Sequence, residues 1–95
     1  MKNLTMEGVI SDIPEKEIIG TSLTKQVVII KEKYGQTDEL YPFDIYFDQW
    51  IDPFLKYFSI NDLVFIRYDI VSQKSKYEKG KFFLKMVIRD IKKIN

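Results

Sequence analysis

Two stretches of this chain carry side chains whose types and spacing could do chemistry. Residues 74–81 read Lys-Ser-Lys-Tyr-Glu-Lys-Gly-Lys, setting Lys74, Lys76, Lys79 and Lys81 around Tyr77 against one acid, Glu78. Lysines on a turn can neutralise phosphates, and a tyrosine between them offers a ring face on which a base stacks, an interaction of roughly 1–3 kcal/mol. A solvated hairpin can carry the same lysines for solubility alone, so the segment takes its meaning from its place in a fold. Residues 38–52 have the opposite character: Asp38, Glu39, Asp44, Asp48 and Asp52, with no Lys or Arg. Asp44, Asp48 and Asp52 could in principle hold Mg²⁺ or share acid–base work. Nothing in their spacing demands it, and capping and solvation account for them.

The composition narrows the chemistry further. The 95 residues include no His and no Cys, which removes the commonest general base, thiolate nucleophiles, disulfides and the usual transition-metal ligands. No Gly-x-Ser-x-Gly, phosphate-binding loop or dinucleotide fingerprint occurs. The sequence thus implies no catalytic residue, no metal and no cofactor: a binding protein, not an enzyme. Charge is nearly balanced, 15 basic against 14 acidic residues, so net charge selects no partner. No apolar run approaches the ~18 residues of a membrane span, and the N-terminus lacks the apolar stretch of a signal peptide. The expectation is one soluble domain over residues 1–95, off the membrane and in the cytoplasm (a host's, if the chain is viral). The Lys-, Ile-, Asn- and Tyr-rich composition fits an AT-rich bacterial or phage genome.

The elements that must position these residues are mostly strands. Leu4–Ile13 is strand-like, with Gly8 at a bulge or bend. Residues 12–15 break it, and Glu15–Ser22 reads as a polar loop. Thr24–Glu32 holds four β-branched residues in a row, Val27-Val28-Ile29-Ile30, a strong strand signal. After a second polar loop over residues 33–40, Tyr41–Phe47 is a third strand. Gln49–Phe58 then spaces Trp50, Phe54, Leu55 and Phe58 as the apolar face of a short helix. Asp48 is its expected N-cap, and Pro53 inside it, tolerable only within the first turn, implies a short element. Ile60-Asn61-Asp62 turns the chain into a fourth strand, Leu63–Ile70, and Gly80 is the hairpin residue before a fifth, Lys81–Ile94.

Three strands, a helix and two strands is the connectivity of an OB-fold: an all-β, five-stranded Greek-key barrel with one short helix plugging an end. The first strand, bent at Gly8, would serve both halves of the barrel. Parity turns Val28 and Ile30 inward on the second strand, and Lys25, Val27, Ile29 and Lys31 outward. On the third strand Ile45 and Phe47 point inward, and Asp44 and Tyr46 outward. Trp50, Phe54 and Phe58 are assigned to the core under the barrel. The loop between the last two strands borders the usual ligand groove of this architecture, which gives residues 74–81 their place. The candidate nucleic-acid-binding residues are therefore Lys25, Lys31, Tyr46, Lys74, Lys76, Tyr77, Lys79 and Lys81, with Tyr34 and Tyr41 as weaker platforms. Asp44 counts against a phosphate passing beside Tyr46.

The chain also resembles a known family. The residues concerned are Lys25-Gln26-Val27-Val28-Ile29-Ile30, Tyr41-Pro42 leading to Ile45-Tyr46-Phe47, Trp50, Asn61-Asp62-Leu63-Val64 and Tyr68-Asp69-Ile70, with Gly8 and Thr21-Ser22. They are similar to those of a family of small OB-fold proteins of Bacteroidetes and their phages. That is a domain-of-unknown-function family considered akin to single-stranded DNA-binding proteins. The likeness spans nearly the whole chain. It implies an OB barrel that binds single-stranded DNA (or RNA) in replication, recombination or repair. The acidic third strand departs from what a DNA groove needs. With Asn95 directly after the last strand, the acidic partner-recruiting tail of bacterial single-stranded-DNA-binding proteins is not expected. Binding through a few lysines is modest and salt-dependent, so a homo-oligomer is expected to multiply it. The alternative is an OB module that binds another protein or itself through exposed apolar parts of strands one, four and five.

Overall fold

The computed structural model describes residues 1–33, 39–75 and 77–94. Their elements run β1 (Leu4–Asp12), β2 (Glu17–Ile19), β3 (Leu23–Glu32), β4 (Leu40–Tyr46), α1 (Asp48–Tyr57), β5 (Leu63–Lys74) and β6 (Phe82–Lys93). The strands form one sheet in the order β1-β5-β6-β4-β3-β2, and β1 pairs also with β3, which closes it into a ring. The pairings are antiparallel except β4 with β6, which meet in parallel at Asp44–Val87. The fold is an OB barrel, all-β with one short helix between β4 and β5.

Closure depends on Gly8, which pairs with Val64 of β5 on one side and Glu32 of β3 on the other. A Cβ at this position would lie 2.5 Å from the Lys31 carbonyl oxygen and 2.6 Å from Ile30 Cγ2. Glycine is needed for the close approach of β3. The register shift itself comes later, between Ile10 and Asp12. Inside the ring Ile10, Val28, Ile30, Phe43, Ile51, Val64 and Ile66 have no exposed surface, each contributing about 1.5–3 kcal/mol by burial. Gln26 shares the inward face of β3, and its Nε2 donates to the carbonyls of Pro14 (2.6 Å) and Val27 (2.9 Å). Those bonds make its burial tolerable and tie the β1–β2 connection to the barrel wall.

The structure corrects the sequence reading at one loop and around the helix. Glu15–Ser22 is not all loop: β2 lies within it and pairs with β3 as Glu17–Lys25, Ile18–Thr24 and Ile19–Leu23. Among the described residues there are thus six strands, not five. A three-residue strand exposed throughout has no alternation to read. Phe47 is not an inward strand residue but the cap of α1, with φ 72° and 56% of its surface exposed. Asp48 is not the cap; it is the first helical residue, and its Oδ1 accepts from Thr24 Oγ1 (3.0 Å) and Lys16 Nζ (3.3 Å). Trp50 is not in the core: it is 62% exposed, and Leu55 is 42% exposed. The buried side of α1 is Ile51 and Phe54, with Phe58 stacked on Phe54 at 5.3 Å. Because the helix begins at Asp48, Pro53 falls in its second turn, and the helix nonetheless runs on to Tyr57.

Candidate nucleic-acid interface

Since Val28 and Ile30 fill the barrel, alternate residues of β3 and β4 must face out. They do so as cross-strand pairs: Lys25–Tyr46, Val27–Asp44, Ile29–Pro42 and Lys31–Leu40. Beyond the barrel β5 and β6 stay paired as far as Lys74–Phe82, forming an arm on which Phe82, Phe83 and Leu84 are 63%, 58% and 73% exposed. The arm runs alongside the outer face. Phe83, Leu84, Lys85 and Met86 line a cleft of about 360 Å³ with Lys25, Val27, Pro42 and Asp44.

The tip of the arm is built by Ser75. Its N–H donates to the Lys81 carbonyl (2.9 Å), and its Oγ accepts from the N–H groups of Tyr77 and Glu78, both at 3.2 Å. Gly80 supplies the left-handed turn at φ 81°, as expected. This leaves the Tyr77 ring 95% exposed. Lys74 and Lys79 are also exposed, while Lys81 Nζ lies 2.6 Å from Glu78 Oε2. Lys76 and Tyr34 lie outside the described residues.

On the face of the barrel, Lys25 is mostly covered and lies 3.7 Å from Glu17 Oε2 of β2. Lys31 is exposed at the other end of β3. The Tyr46 hydroxyl donates to Asp44 Oδ2 at 3.0 Å. Burial first, then the charge of Asp44 and this hydrogen bond, push the Tyr46 phenol up to about 12. Asp44 is only 8% exposed and accepts this hydrogen bond, but a neutral phenol leaves its charge in place, and it lines the cleft, so the acid still opposes a phosphate at that point. The Tyr41 hydroxyl donates to Glu39 at 2.7 Å, and its ring packs against the core. Asp44, Asp48 and Asp52 form no metal site: among the described residues no three acids could hold one ion. Phe83 and Lys85 escaped the sequence reading. Strand parity could have found them once the pairing Val71–Lys85 and Gln73–Phe83 was known.

Past Tyr46 the outer face opens into a second hollow of about 480 Å³, between the start of α1 and β6, with Leu23, Phe47, Trp50 and Arg89 on its walls. Arg89 is the extra residue at the β5–β6 register shift, and its Nε donates to Asp69 Oδ2 at 2.9 Å. Together the features offer cations, ring faces and a continuous outer wall, which suits a flexible anionic chain carrying flat bases.

The same ring and helix recur in solved structures. One crystal form of the S. cerevisiae mitochondrial single-stranded DNA binding protein Rim1 superposes with a TM-score of 0.77 at 14% identity, covering 97% of this chain and 94% of that one. A second form gives 0.66 at 18% identity, covering 98% and 92%. The shared fold is the OB barrel. No family model and no curated protein matches the sequence. In OB-folds the bound strand lies across the face corresponding to β3 and β4, between the connections that here hold β2 and the arm.

Proposed function

We propose that this chain is a non-enzymatic protein that binds single-stranded DNA largely without regard to sequence, acting in replication, recombination or repair. The reading rests on the cleft of about 360 Å³, a trough lined by Lys25, Lys85 and Phe83, with the exposed Tyr77, Lys74 and Lys79 on the arm that borders it. Tyr77 and Tyr46 stack bases; Lys25, Lys31, Lys74, Lys76, Lys79 and Lys81 neutralise phosphates, with Phe83 and Lys85 added to each set. The structures that share the fold belong to a protein described as binding single-stranded DNA, which supports the reading. The proposal includes a homo-oligomer, working in a cytoplasm.

The test is fluorescence anisotropy of labelled oligo(dT) over a range of salt, with oligo(rU) alongside to fix the DNA or RNA preference. Log affinity should fall linearly with log salt, by about 0.7 per phosphate contact. No binding at the lowest salt would retire the proposal. A second reading, a self-assembling or protein-binding OB module, is favoured by Phe82, Phe83 and Leu84 standing exposed in a row, with Phe65 of β5 at 43%. It predicts a mass above the monomer in light scattering together with no oligonucleotide binding.

A further inference from the structure

The chain holds a single tryptophan, and the fold leaves it 62% exposed beside Phe47 at 56%. Leaving two large rings in water forgoes hydrophobic stabilisation that burial would supply. Phe47 adds a second oddity. Its N–H donates to the Thr24 carbonyl while its own carbonyl accepts from Trp50 and Ile51, and its φ is 72°. Glycine adopts such a φ without strain, whereas a bulky residue does so only under constraint. The chain uses phenylalanine there and leaves its ring open to solvent. Strain combined with exposed apolar surface is the pattern of a site, not of a core.

The location says what kind of site. Trp50 and Phe47 line the hollow of about 480 Å³ with Leu23 and Tyr46, a size in the range of ligand pockets. Tyr46 is the cross-strand partner of Lys25, and Lys25 lines the trough. Val87 of the hollow is likewise the partner of Asp44 in the trough. The two cavities are therefore neighbours, and the hollow reaches inward past Tyr46 to Ile45 and Phe54 of the core. The hollow carries little surplus positive charge, because Arg89 is bound to Asp69 and Asp90 stands next to it. It is thus unsuited to a phosphate and suited to the flat, apolar face of a base.

We propose that Trp50 and Phe47 form a second stacking platform, on which a nucleobase of the strand leaving the trough packs at the mouth of the hollow beside α1. The proposal rests on the single-stranded DNA reading and extends its path from the arm, past Lys25 and Tyr46, to the helix.

Because Trp50 is the only tryptophan, its emission reports this platform alone. Labelled oligo(dT) of about 16 nucleotides, the upper site size of one OB fold, is titrated while label anisotropy and tryptophan emission are both recorded. Emission should be quenched with the same midpoint as the anisotropy, and Trp50 should become shielded from acrylamide. Trp50→Ala should weaken binding about tenfold and Trp50→Phe by less, with unchanged thermal unfolding of both variants. Anisotropy showing binding while Trp50 emission and acrylamide access stay unchanged, and Trp50→Ala binds as the parent does, would overturn the platform. It would leave the DNA reading intact and the hollow to a protein segment. Absence of any anisotropy change at low salt would remove the DNA reading and the platform with it.

Discussion

The strands β5 and β6 behave in two ways along their length. Between Val64 and Asp69 they are barrel wall, with Val64 and Ile66 fully buried and Asp69 held by the Asn3 N–H and Arg89. From Val71–Lys85 outward the same ladder continues, yet Val71, Phe82, Phe83 and Leu84 are all exposed. Backbone pairing alone carries the ladder past the point where the core ends. The difference separates two jobs that the residue types do not separate: apolar side chains in the wall hold the fold, and apolar side chains on the arm are free to meet something else.

The widest break in that comparison is a pair of truncations. Ile66→Ala should lower unfolding stability by about 2–5 kcal/mol, while Leu84→Ala, one strand away, should stay within about 0.5 kcal/mol. Urea denaturation measures both, and equal losses would mean that the arm is part of the core. Next comes charge. Lys74→Glu with Lys79→Glu should abolish oligo(dT) binding at moderate salt and leave the urea midpoint unchanged. Unaltered affinity would show that the arm is not the phosphate-binding element.

Two pH measurements sharpen the boundary between wall and arm. The Asn3 N–H, then the Arg89 hydrogen bond, hold the Asp69 carboxyl below its ordinary range. A depressed folded-state value means stability that is present at neutral pH and lost as pH falls through the carboxylate range toward that lower value. Asp69→Asn should flatten this acid limb, as read by thermal unfolding from neutral pH downward. Tyr46 works in the other direction. Its phenol ionises near 10 in the unfolded chain and at about 12 in the folded one, so its contribution is complete below pH 10 and is lost as pH rises through that interval. In Tyr46→Phe this alkaline step should be missing, and an unchanged alkaline limb would mean that the fold does not hold the phenol protonated.

Much of the wall was legible in the residues. The run Val27-Val28-Ile29-Ile30 and its parity put Val28 and Ile30 inside and Lys25 and Lys31 outside, as found. The turn at Gly80 and the helix between the third and fourth closing strands follow equally from local chemistry. The misses cluster where a side chain's fate depends on a distant partner. Trp50, Phe54 and Phe58 fit one helical face on paper, but the helix docks on the barrel through Ile51 and Phe54, which turns Trp50 out. The strand β2 is visible only through its pairing with Leu23–Lys25. Phe83 and Lys85 enter the trough because β6 is carried there by β5.

By itself the sequence determined the barrel class, the inward faces of its long strands and the lysine-rich turn, since period, turn residues and β-branching act over a few neighbouring residues. The tertiary structure alone decided which aromatic rings stay in water, that Tyr46 donates to Asp44, and that two hollows adjoin. Those outcomes are set by contacts between strands far apart in the chain, and such contacts leave no local pattern to read.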